Sequence, residues 1–150
     1  PGNYLFMADG RLGLLDFGCT KQIGNAFCAG LRGAWSALLR GPSELAQLQQ
    51  AYVALGLIAP SLSEEEFRAQ LMPALAATQA WQTAPFRAPL YDFGRQPEMP
   101  KIEPALQAQA LRYLHSVAPE LPYFDRAYLG LVLMLKSLGA SVRTRNPWIG

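Results

Sequence analysis

Residues 1–21 read PGNYLFMADGRLGLLDFGCTK, and this stretch decides how the remainder of the chain is placed. Two short apolar runs, 4–7 and 12–15, flank Ala8-Asp9-Gly10-Arg11. An Asp-Gly pair between two such runs signals a β-hairpin, because the turn needs positive φ and these residues adopt it at least cost. In a hairpin, the residue before the first strand and the residue after the second emerge at the same end. Asn3 and Asp16 hold those positions, so an amide oxygen and a carboxylate are expected within about 5 Å of one another, close enough to share an ion. Such a donor pair suits Mg²⁺ held between protein and nucleotide phosphates. Gly18 allows the sharp exit that aims the carboxylate.

Beyond Gly18 the apolar period changes. Phe27, Leu31, Trp35, Leu38 and Leu39 recur at helical spacing, and Gly41-Pro42 stops that helix. A second helix is expected from Ser43 as N-cap, with Leu45, Leu48, Tyr52 and Leu55 on one face and Gly56 at its end. Ser63 and Glu66 form a capping box, and the acidic run Glu64–Glu66 lies where the helix dipole favours negative charge. Phe67 and Leu71 continue the stripe, Pro73 should kink or split the helix, and the pattern fades near Trp81. Pro85, Pro89, Pro97, Pro100 and Pro104 make 82–104 a long loop, and loops of that length in compact domains are usually functional or mobile. Helices over 104–117 and 125–138 follow, the second apolar all round and therefore expected at the centre of the core.

The composition agrees with a helical chain. Leu and Ala fill 46 of 150 positions, whereas Val and Ile fill 8, a bias toward residues that lose little freedom in helices. With 51% hydrophobic residues, 16% charged residues and a net charge of +2, the chain is too apolar for a disordered tail and too weakly charged for a nucleic-acid-binding arm. The longest apolar run, 127–135, is too short to cross a bilayer. The expected fold is mainly α with one small β-hairpin. Residues 1–23 would form a hairpin and Asp-Phe-Gly segment carrying the metal site, and 24–150 a helical region with the Pro-rich loop at 82–104.

A second Asp-Phe-Gly, at Asp92-Phe93-Gly94, shows how little the tripeptide says alone. It is expected to lack an apolar strand before it and has no Asn-containing turn upstream, so it is assigned no metal. The first copy has the full context. Pro1-Gly2-Asn3, the apolar hairpin and Leu14-Leu15-Asp16-Phe17-Gly18-Cys19 together resemble the UbiB/AarF-domain family of atypical kinases. Its members read His-Pro-Gly-Asn, then Gly-Arg and a hydrophobic residue, then Leu-Asp-Phe-Gly followed by Cys or Met. Protein kinases likewise hold Mg²⁺ with a catalytic-loop Asn and the Asp of Asp-Phe-Gly. Aminoglycoside and choline phosphotransferases share Pro-Gly-Asn but end the second strand with Ile-Asp-Trp or similar, and they are the alternative kinase-like reading. Arg126, Gly130, Leu138, Gly139, Ala140 and Trp148 resemble that family's closing helix and tail, and Gly41 and Gly56 fall where its helices commonly end. The likeness thus covers most of the chain but is motif-grade only over 1–21.

The resemblance implies the C-terminal-lobe portion of a protein-kinase-like fold that binds ATP and Mg²⁺ through Asn3 and Asp16. It implies phosphotransfer or ATP hydrolysis linked to ubiquinone biosynthesis or lipid homeostasis, with lipid- or quinone-pathway proteins as partners. The family's catalytic Asp would lie two residues before Pro1, and its nucleotide-gripping Lys, alanine-rich phosphate loop and Lys-x-Gly-Gln extension further upstream. None is in this sequence, so the chain alone is expected to be inactive and to need a preceding N-terminal part. Without that part, Tyr4, Leu5, Phe6 and the 12–15 strand should be uncovered and drive self-association. A non-catalytic helical interaction module is the competing reading from another class.

Other candidates have simpler roles. His115, on an expected helix, has no partner at metal or triad spacing and should be structural or solvent-facing. Cys19 and Cys28 lack CxxC spacing and should pack; their number implies a reducing compartment, cytoplasmic or membrane-peripheral, with no targeting segment visible. Arg143 and Arg145 are too few for a polybasic lipid site and suit a solvated tail. Trp35, Tyr52, Tyr113 and Tyr128 fall at helical spacing, which favours core packing over base stacking and argues against a nucleic-acid partner.

Overall fold

Tyr4–Phe6 (β1) and Leu12–Leu14 (β2) pair antiparallel, with Tyr4 opposite Leu14 and Phe6 opposite Leu12. The computed structural model describes residues 4–16, 20–116 and 118–144. At the tip of the hairpin only Gly10 has positive φ, at 81°, and its N–H donates to the Met7 carbonyl at 3.0 Å. The turn is therefore a three-residue loop closed by one left-handed glycine. No helix among the described residues is long and apolar enough to cross a membrane.

Asn25–Arg40 (α1) buries Phe27, Leu31, Ala34 and Trp35, the three- and four-residue spacing that puts side chains on one face. Gly41, at φ 109°, ends it, and Pro42–Glu44 forms a single 3₁₀ turn before Leu45–Ala54 (α2). Ser43 lies inside that turn, so it is not the N-cap expected from sequence; Pro42 starts the turn and no side chain caps α2. The two helices pack closely at Gly30, where a Cβ would stand 2.9 Å from Leu55 Cγ.

The Ser63–Glu66 capping box forms as expected: Ser63 Oγ accepts from the Glu66 N–H, and Glu66 accepts from the Ser63 N–H. Glu64–Glu66 (α3) then widens into a π turn over Phe67–Leu71 before Met72–Thr83 (α4). Pro73 explains the widening, since its ring crowds the carbonyl four residues back and it has no N–H to donate. Met72 N–H donates instead to Phe67, five residues back. Phe67 and Leu71 are both fully buried.

The 82–104 stretch is not a structureless loop. After a 3₁₀ turn at Ala84–Phe86, Leu90–Asp92 (β3) pairs antiparallel with Ser141–Arg143 (β4), Leu90 opposite Arg143 and Asp92 opposite Ser141. The chain is thus mainly helical with two small strand pairs rather than a single hairpin. Pro104–Leu111 (α5) stops short of the expected 117, because Leu114 bridges to Ile58 and the His115 N–H donates to the Leu57 carbonyl at 2.8 Å.

Leu121–Ser137 (α6) begins earlier than expected and is not central. Val132 alone is fully buried on it, while Leu131, Leu133, Met134 and Leu138 are exposed. Its inner face packs through Phe124 and Tyr128 onto Trp35, with ring centroids 6.3 and 5.3 Å away. The main core joins Phe27, Leu31, Trp35, Leu48, Ile58, Phe67 and Leu71, and a smaller core gathers Trp81, Phe93 and Val132.

Candidate metal and nucleotide site

The hairpin register decides where Asp16 emerges. Leu14 stands opposite Tyr4, the first residue of β1, so two residues later Asp16 leaves the hairpin at the end where β1 begins. Its side chain is exposed to solvent. Asp9, the other carboxylate of the hairpin, sits at the opposite end, paired with Arg11 at 2.7 Å. Asn3 lies outside the described residues, as do Phe17, Gly18 and Cys19. Asp16 fits one ligand of a Mg²⁺ ion, which binds through one or two carboxylates together with water and phosphate oxygens. Among the described residues, no three His, Cys, Asp or Glu side chains cluster at metal-binding distance.

The second Asp-Phe-Gly follows a strand after all, since Leu90–Asp92 is β3. Its side chains are used structurally. Asp92 accepts from the Gly94 N–H at 3.0 Å and pairs with Arg95 at 3.2 Å, while Phe93 is buried in the smaller core. The strand escaped the sequence reading because its partner is β4, remote in the chain.

His115 is exposed and lies past the end of α5 rather than on a helix. Cys28 is a half-buried free thiol on α1. Arg143 is exposed, as a solvated residue should be, but it belongs to β4 instead of a tail; Arg145, Trp148 and Val117 are outside the described residues. Trp35, Tyr52, Tyr113 and Tyr128 all pack against the main core.

Sequence reasoning missed a buried polar cluster between α2 and α4. Gln79 donates through Nε2 to Tyr52 Oη at 2.6 Å, and Thr83 Oγ1 donates to the Gln79 carbonyl at 2.8 Å. Burial pushes the Tyr52 hydroxyl up to about 12, partly offset by the bond from Gln79. Burial also raises Tyr128 and the half-buried carboxyl of Asp125. The available signal was Gln79 itself, an amide standing in the apolar stripe of a helix. No family model, curated protein or solved structure matches the chain.

Proposed function

We propose that this chain is the C-terminal-lobe portion of a UbiB-like atypical kinase or ATPase, in which Asp16 and Asn3 hold the Mg²⁺ of bound ATP. The reading is supported by one observation above all: the Tyr4–Leu14 register delivers Asp16, exposed, to the end of the hairpin where β1 begins, and Asn3 directly precedes β1 in sequence. Bound Mg²⁺ would neutralise charge on the phosphate oxygens during phosphoryl transfer. In this chain Asp16, two residues beyond the end of β2, would contribute a carboxylate ligand. The catalytic Asp and nucleotide clamp belong to an upstream part, which is also the first partner, and the link to lipid or quinone metabolism follows from the resemblance alone.

The test uses the parent polypeptide that includes this upstream part. Asp16→Asn should lower Mg²⁺-dependent ATP turnover by about a hundredfold or more, whereas Asp92→Asn should leave it within about twofold. The 150-residue chain by itself should show no turnover above background. Equal effects at Asp16 and Asp92 would remove the assignment.

A second reading, a non-catalytic interaction module, is favoured by the apolar surface. Phe6 is 82% exposed, and Leu5, Leu12, Leu14 and Leu15 are each more than half exposed. Undiminished function of the Asp16→Asn parent protein together with loss of function in Phe6→Lys would select it.

A further inference from the structure

The last turn of α1, the 3₁₀ turn after it, the start of α2 and one face of α4 line a cavity of about 410 Å³ that is open to solvent on one side. That volume falls within the roughly 300–1,000 Å³ of small-molecule sites. Leu45 and Leu48 wall it on one side and Met72 and Ala76 on the other. Gly41 lines the rim, and its positive φ of 109° turns the chain from α1 into the 3₁₀ turn there. No aromatic ring lines it among the described residues, so nothing is in place to stack on a base or another flat ligand.

The polar groups are unevenly spread. Gln79 reaches the cavity while only 6% exposed, its amide held by Tyr52. Arg87, an exposed residue, stands on the same wall two turns further along and donates to two neutral acceptors, the Leu38 carbonyl at 3.0 Å and Thr83 Oγ1 at 3.4 Å. None of the ion pairs among the described residues includes it. The other charges at the rim are matched locally: Arg68 with Glu64, and Glu44 with Arg40 at 3.8 Å. A guanidinium has five N–H donors in a planar fork, so Arg87 can keep its bond to α1 and still bind a carboxylate.

We infer that this cavity binds a single free aliphatic carboxylate of medium chain length, its alkyl chain between Leu48 and Met72 and its carboxylate against Arg87. The aliphatic walls select the chain, and the guanidinium without an anionic partner selects the head. The inference is independent of the proposed kinase-like function.

Decanoate, used below its micelle-forming concentration, is the probe, with decanol as its neutral counterpart. Calorimetry on the 150-residue chain should give a Kd on the order of 100 µM for decanoate, in line with the binding per atom of small ligands. Decanol should bind about tenfold more weakly, because it lacks the charge-assisted hydrogen bond. Arg87→Gln should abolish that difference. Ala76→Trp, at an exposed alanine of the wall, should weaken both ligands by about tenfold or more by filling the space, and it leaves Arg87 and the end of α1 intact. Equal binding of decanoate and decanol to the unaltered chain would overturn the inference, as would decanoate binding unchanged by Ala76→Trp. So would self-association of the chain that Ala76→Trp abolishes while decanoate fails to bind, since a second copy would then be the occupant.

Discussion

The Gln79 amide and the Tyr52 hydroxyl meet at 2.6 Å in the interior, tying α4 to α2 where Phe67 packs edge-on against the tyrosine ring. Because burial holds the Tyr52 hydroxyl up to about 12, the folded chain keeps a proton there that the unfolded chain gives up near 10. The stability this confers is fully present below pH 10 and lost as pH rises toward 12, by about 3 kcal/mol in all. Tyr128 and Tyr91 are raised too and act in the same direction. Urea titrations between pH 9 and 12 should therefore show a shallower loss in Tyr52→Phe than in the unaltered chain. At pH 7 the same variant should be weaker by about 1–3 kcal/mol, because the buried amide loses its acceptor. Parallel pH profiles of the two proteins would contradict this account of Tyr52.

Two glycines of α1 should respond oppositely to the same substitution. At Gly30 a new Cβ meets the buried Leu55 side chain at 2.9 Å, so Gly30→Ala should destabilise by about 1–2 kcal/mol despite the better helix former. At Gly33 the nearest atom is Ala51 Cβ at 3.4 Å, an ordinary contact. Gly33→Ala should stabilise by up to about 1 kcal/mol. Thermal denaturation of both variants decides the matter, and a shared sign would refute it.

Removing the cap at Ser63 should cost about 1 kcal/mol in Ser63→Ala. It should also alter the acid limb of stability. Hydrogen bonds from the Ser63 hydroxyl and N–H hold the Glu66 carboxyl below its usual range, so their contribution is present above the unfolded-state value and fades as pH falls through the lowered one. The gap between Ser63→Ala and the unaltered chain should thus narrow below about pH 4, near the ordinary carboxylate value.

The hairpin exposes apolar side chains on both faces, with Phe6 foremost. Sedimentation velocity should show the isolated chain associating as its concentration rises into the high micromolar range, and Phe6→Lys should shift it toward monomer. A monomer at all concentrations would show that this surface does not bind itself.

Features written in local sequence were readable, and those set by distant partners were not. The α1 stripe from Phe27 to Trp35 and the Ser63–Glu66 box depend on residues three and four apart, and both stand as read. Pro73 announced a disturbance in its helix, although periodicity could not show that a π turn would absorb it. The 3₁₀ turn from Pro42 displaced Ser43 from its expected capping role. The strand at Leu90–Asp92 was hidden because only pairing with Ser141–Arg143 defines it. The all-round apolarity of α6 suggests centrality, but composition cannot say which face is covered, and Leu131 and Leu133 remain about half exposed. At the candidate site, Asp16 emerges at the end of the hairpin that the Asp9-Gly10 turn predicts. The Gln79–Tyr52 cluster was obscured because its two members lie on separate helices.

The β3–β4 pairing joins segments about 50 residues apart, so its closure costs more chain entropy than any helix–turn contact and should come late in folding. Once formed, it fastens the smaller core of Trp81, Phe93 and Val132 beside the larger one. Few buried apolar groups hold that minor unit, which makes it the part to open first under denaturant or in hydrogen exchange. Trp35 belongs to the major core and Trp81 to the minor. These two indoles therefore report on different events, and fluorescence followed in a chain that lacks Trp148 and retains one or the other would resolve a melting sequence in which the β4 strap releases before the helices part.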